Sequence, residues 1–123
     1  MRKLILATLV LISGTAVARD RNAVPEATPI GDAVSCVNLR NIQSTRVHGD
    51  STIDFYMSGG KVFRNTLPNS CPSLGFEERF LYKTSLNQLC SVDIITVLQS
   101  PGLSQGPSCG LGKFQPVKLA SAK

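Results

Sequence analysis

Tryptophan is absent from the 123 residues, histidine occurs once, and aromatic and charged residues make up only 6% and 17% of the chain. With no tryptophan and with basic side chains scattered along the sequence, the footprint of a nucleic-acid-binding surface is missing. There is no C-x-x-C pair to accompany the single histidine, which argues against a structural zinc site. Neither a glycine period nor a sustained heptad occurs, excluding collagen-like and coiled-coil architectures. The low hydrophobicity and high net charge of a disordered chain are also lacking, since 42% of residues are hydrophobic and the formal charge is +5. What remains is one modest globular domain.

The first eighteen residues have the layout of a cleavable secretory signal. Arg2 and Lys3 are followed by the nine-residue apolar stretch Leu4 to Ile12, too short to span a bilayer, which needs about 20 residues. Ser13 and Gly14 end that stretch, and Ala16-Val17-Ala18 supplies a small-x-small cleavage pattern after Ala18. The mature protein is then expected to be periplasmic or secreted, without a membrane span. Losing Arg2 and Lys3 from the 13 basic side chains, with all eight acidic ones retained, leaves a mature charge of +3.

Four cysteines stand at positions 36, 71, 90 and 109, all beyond the cleavage site. An even count in an oxidising compartment argues for two disulfides, which suit a domain of about 100 residues that buries only some two-thirds of its chain surface. Four cysteines allow three connectivities. Cys36 with Cys90 and Cys71 with Cys109 is preferred, because that pairing ties each half of the domain to the other.

Residues 19–35 carry two prolines and mixed charge, and are read as a flexible N-terminal segment. From Cys36 to Leu119 the chain turns into short segments rich in Val, Ile, Thr and Phe, separated by Gly, Asn, Asp, Ser and Pro, and 120–123 form a tail. In Thr52 to Met57 the alternation of Ile53, Phe55 and Met57 with other residues marks a half-buried strand. Ser58-Gly59-Gly60-Lys61 is a turn, and Lys61 to Leu67 the return strand, with Met57 expected opposite Phe63 and Ile53 opposite Leu67. A strand at about Val37 to Val47, joined through His48-Gly49-Asp50, completes a three-stranded meander. Residues 68–78 read as a proline-fixed loop, Phe80-Leu81-Tyr82 as a short strand or turn, and Ser85 to Leu89 as the start of a helical turn. Val92 to Leu98 is a central strand, 99–110 a loop, and Leu111 to Leu119 an edge strand that tolerates Pro116. The expected fold class is all-β, a small antiparallel barrel or highly curved sheet of five to six short strands with two disulfides.

No complete catalytic set is visible. Gly106-Pro107-Ser108-Cys109-Gly110 has the letters G-x-S-x-G, but the nucleophile elbow needs a preceding buried strand and a following helix in a larger α/β sheet. His48 beside Asp50 lacks a nucleophile, Asp54 is expected to face solvent, and Glu77 and Glu78 are a carboxylate pair in a loop. Asp93, in an apolar stretch, would need hydrogen bonds if it points inward. Tyr56, Phe63 and Tyr82 suit packing as well as they suit an aromatic patch. No metal, cofactor or catalytic residue is assigned.

The runs Cys36 to Ile42, Gly59 to Val97 and Cys109 to Val117 carry a resemblance to a family. The motifs are L-x-x-x-C-P-x-L-x at Leu67 to Gly75, L-C-x-x-D-x-I at Leu89 to Ile95, and C-x-L-G-x-F at Cys109 to Phe114. These segments resemble a family of small exported bacterial proteins of unknown function. The resemblance implies a secreted, disulfide-linked β domain and brings no catalytic residues. The first functional expectation is a non-enzymatic envelope protein, an inhibitor or accessory subunit of another exported protein, with contact loops at 68–78 and 99–110. The second is a small hydrolase of an envelope polymer using His48, Asp50, Asp54, Glu77 or Glu78, which requires those groups to converge. The third is a binder of anionic glycan or lipid head groups through Arg40, Arg46, Lys61 and Arg64.

Overall fold

The computed structural model describes residues 23–84, 86–102 and 104–120. The signal sequence expected at 1–18, residues 19–22, Ser85, Leu103 and the last three residues lie outside the described residues.

Among the described residues the strand period of the sequence becomes ten short strands: β1 (Ala27–Pro29), β2 (Cys36–Asn38), β3 (Ile42–His48), β4 (Thr52–Met57), β5 (Val62–Thr66), β6 (Phe80–Tyr82), β7 (Gln88–Cys90), β8 (Ile94–Gln99), β9 (Ser104–Gly110) and β10 (Phe114–Leu119). A single helical turn, α1 (Leu74–Glu77), lies between β5 and β6. The strands form three antiparallel sheets, in orders β1-β10-β5-β4-β3, β2-β7 and β6-β8-β9. The fold is therefore mainly β with two disulfides, but it is not the barrel of five or six strands expected from the sequence. The five-stranded sheet ends in β1 at one edge and β3 at the other, which do not pair, so it does not close on itself.

All three sheets feed one core. Val47, Ile53, Phe55 and Met57 come from the largest sheet, Val37 and Leu89 from the second, and Ile95 and Val97 from the third. Phe55 meets Phe114 edge-on at 5.3 Å between ring centroids and Phe80 at 6.5 Å, an arrangement that places positive ring edges on negative faces. Cys36–Cys90 joins the two strands of the small sheet and Cys71–Cys109 ties the loop before α1 to β9.

The meander β3-β4-β5 is present, with a register two residues from the expected one. Gly59 and Gly60 both adopt positive φ, and Met57 N donates to Lys61 O at 2.8 Å, so the connection is the three residues 58–60. Phe55 consequently faces Phe63, Ile53 faces Asn65 and Asp54 faces Arg64. An even-numbered shift keeps the same residues on the core face, but it sets buried Asn65, rather than Leu67, opposite Ile53.

Other expectations are also corrected. Residues 27–29 do not belong to a free lead, because β1 pairs with β10, and Val34 bridges to Phe114. With β1 beside it, β10 is interior rather than an edge. Pro116 O accepts from Ile30 N at 3.0 Å, so the side of Pro116 that lacks a donor faces short β1 and costs the β5 ladder nothing. The segment read as loop 99–110 contains β9. Gly106 and Pro107 together lie opposite Val97, between the pairs Thr96–Ser108 and Leu98–Gln105, so both loop-forming residues sit in a bulge on an edge strand. The strand expected from Val92 starts only at Ile94, and Val92 stands 87% exposed. Asn38 divides the strand expected at 37–47, its side chain accepting from Arg40 N to cap a 3₁₀ turn at Leu39–Asn41.

Candidate functional site

Asp54 is completely buried on the face of β4 opposite Ile53 and Phe55, contrary to the expected solvated position. Cross-strand register supplies the cause: Arg46 flanks Asp54 on β3 and Arg64 on β5. Arg64 Nε donates to Oδ1 at 2.8 Å and Nη2 donates to Oδ2 at 3.0 Å. This two-pronged bond from Asp54 raises the Arg64 pKa above its ordinary value against the opposing effect of burial. Arg64 is thus a fixed cation. His48 Nε2 lies 3.1 Å from Asp54 Oδ2, an ion-pair distance without hydrogen-bond geometry. Each oxygen of Asp54 accepts from Arg64, so the buried carboxylate is the counter-ion of that guanidinium. Arg46 remains exposed, its guanidinium carbon 6.0 Å from the centroid of the Tyr56 ring.

The other acidic candidates have separate tasks. Asp50 Oδ1 accepts from Gly75 N at 2.7 Å, while its carbonyl accepts from Cys71 N at 2.7 Å. Glu77 Oε2 accepts from Ser100 N at 3.2 Å. Asp93 Oδ2 accepts from Cys90 N at 2.7 Å, fixing the turn that leads into β8. Of His48, Asp50, Asp54, Glu77 and Glu78, the structure brings His48 and Asp54 into side-chain contact and gives the others no share in it. Among the described residues no group of three His, Cys, Asp or Glu side chains is placed to hold a metal. The G-x-S-x-G letters fall in β9, with Cys109 in a disulfide.

The four basic candidates divide into two places. Arg64 and Arg46 share the Asp54 row, the former neutralised there. Arg40 and Lys61 lie at the other end of the sheet, where Ile42 pairs with Met57 and Met57 bonds to Lys61. Tyr56 and Phe63 are half-buried, with Phe63 packed on the core.

The expected contact loops do meet. Beyond Cys71–Cys109, Glu77 accepts from Ser100 N, and Arg79 Nη2 donates to Ser100 Oγ at 2.7 Å. Leu98 N also donates to Arg79 O at 3.0 Å. These bonds join 71–79 to 98–100, and with the turn that runs on to 102 they form one cap. Leu74 is buried completely and anchors the turn, whereas Phe76, two residues on, is 73% exposed. Close packing fixes the backbone: a Cβ at Gly75 would fall 2.8 Å from the Gly49 carbonyl carbon. Ser73 and Glu78, on either side of α1, occupy the left-handed region with φ of 70° and 55°, at a cost of roughly 1–2 kcal/mol for a residue with a Cβ.

The sequence reading missed Phe76, the burial of Asp54 and the role of Asn65. Counting a three-residue turn would have placed Arg64 across from Asp54. No local signal marks Asn65, whose amide donates to Gly112 O at 2.7 Å and accepts from Gly112 N at 2.8 Å across 47 positions of chain. No family model, curated protein or solved structure matches the chain.

Proposed function

We propose that the protein is an exported, non-enzymatic binding protein, an inhibitor or accessory subunit of another exported protein, and that the cap built from 71–79 and 98–102 is its contact surface. The observation that carries this reading is the cap itself. A large aromatic side chain faces outward from a backbone fixed by a disulfide, a buried leucine and several hydrogen bonds. Rigid presentation lowers the ordering cost of association, and aromatic side chains supply much of the energy at protein interfaces.

Two disulfides fit an oxidising compartment. Export to the periplasm or beyond is part of the proposal, as is kinship with the small exported bacterial proteins that the sequence resembles. Arg46 over Tyr56 supports one alternative, binding of an anionic glycan or lipid head group on the open sheet face. The hydrolase reading lacks a convergent set of groups to support it.

The test is to immobilise the oxidised mature domain, pass an envelope extract of the source cell over it, and elute at low and then high salt. Recovery of one protein in near-equal amount supports the inhibitor or accessory role. Recovery of polyanions alone, released by modest salt, supports the sheet-face alternative and contradicts the cap.

A further inference from the structure

The cap carries a charge pattern that narrows its partner. Among the described acidic residues, Asp50, Asp54, Glu77 and Asp93 are bonded to the protein's own groups. Glu26, Asp32 and Glu78 are exposed and have no salt bridge or hydrogen bond from their side chains among the described residues; of the three, Glu78 alone lies in the cap, two residues from Phe76 and next to Arg79, whose guanidinium is bonded to Ser100 and lies 3.9 Å from Glu77. Glu78 also occupies a left-handed position where glycine is the easier residue. An exposed ring outside the core, beside a carboxylate with no partner among the described residues, points to a use outside the fold.

We infer that Phe76 and Glu78 form a two-part anchor for a protein partner presenting an apolar pocket bordered by lysine or arginine. This deepens, and rests on, the binding role proposed above. Phe76 supplies apolar area for the pocket, and Glu78 pairs with the basic rim as the ring enters. The same carboxylate disfavours an anionic lipid surface, which would repel it.

The experiment places p-benzoylphenylalanine at position 76, and separately at the exposed positions 86 and 92, in the source cell. It then irradiates and maps the cross-linked peptides by mass spectrometry. Position 76 should label one protein at least tenfold more than 86 or 92, at a site containing apolar residues and Lys or Arg. Glu78→Lys should reduce that labelling at least tenfold. Glu78→Gly, which relieves the backbone and so guards against misfolding, should reduce it about fivefold. Equal labelling from 86 or 92, or labelling at 76 indifferent to both substitutions, overturns this anchor and leaves the binding role standing. No labelled protein at any of the three positions overturns both. Co-sedimentation with phosphatidylglycerol vesicles that Phe76→Ala abolishes would also overturn the anchor, assigning the ring to a membrane surface.

Discussion

Arg64 closes both oxygens of Asp54 across β4 and β5, so a fully buried carboxylate is held by a single guanidinium that is itself mostly covered. Such a pair contributes little net stability compared with apolar residues of the same size, but its halves cannot be separated cheaply. Arg64→Met or Asp54→Leu alone should each cost about 3–5 kcal/mol. The double variant should recover most of that loss. Urea unfolding of the four proteins provides the check, and simple additivity would show that the groups do not act as a pair.

Asn65 replaces a stretch of backbone pairing with its side chain. Asn65→Ala leaves both polar groups of Gly112 without their partner, at a cost of about 2–3 kcal/mol. Gly112→Ala should destabilise for a different reason, because a Cβ there runs into the Thr66 carbonyl oxygen. Thermal unfolding should show Asn65→Ala melting roughly 8–24 °C lower, on the scale of 4–8 °C per kcal/mol for a domain of this size.

The cap depends on Cys71–Cys109, which closes a separation of 38 residues. Chain entropy gives about 4 kcal/mol for a loop of that length. Cys71→Ser with Cys109→Ser should therefore lower stability by roughly that amount. Hydrogen exchange should accelerate more in 71–79 than in β4 and β5, which hold the centre of the largest sheet. Uniform acceleration would mean that this bridge stabilises the whole domain rather than the cap.

Glu78→Gly should raise stability by about 0.5–1 kcal/mol, since glycine adopts the left-handed C-terminal cap of α1 without a Cβ penalty. Phe76→Ala should change stability by less than about 0.5 kcal/mol, as expected for a surface side chain outside the core. Denaturant midpoints measure both. A large loss on either substitution would show that the cap is part of the fold's support and not a presented surface.

The mainly β fold was readable because Ile53, Phe55 and Met57 keep strand period and because Gly59-Gly60 marks a turn with a physical cause. The β3-β4-β5 meander followed from the same signals. The three-sheet arrangement was not readable, because it depends on contacts between distant segments, such as β1 on β10 and β2 on β7. In β9, pairing with β8 overrode the loop preference of Gly106 and Pro107, which a bulge accommodates. At the candidate site, composition marked 68–78 and 99–110 as loops, but Leu74–Glu77 form a helical turn and Ser104–Gly110 a strand, and the outward direction of Phe76 depends on Leu74 being drawn into the core. Asp54 looked solvated because alternation assigns its side chain to the outer face; it is buried there because two neighbouring strands bring Arg64 and His48 over it.

The central claim is that the cap is the contact surface. The most direct measurement is hydrogen exchange of the oxidised protein, free and bound to the protein that the immobilised domain recovers from the envelope extract. Slowed exchange confined to 71–79 and 98–102 is the predicted result. Unchanged exchange in those segments, with slowing instead along β3 and β4 around Arg46 and Tyr56, would contradict it and move the contact to the open sheet face.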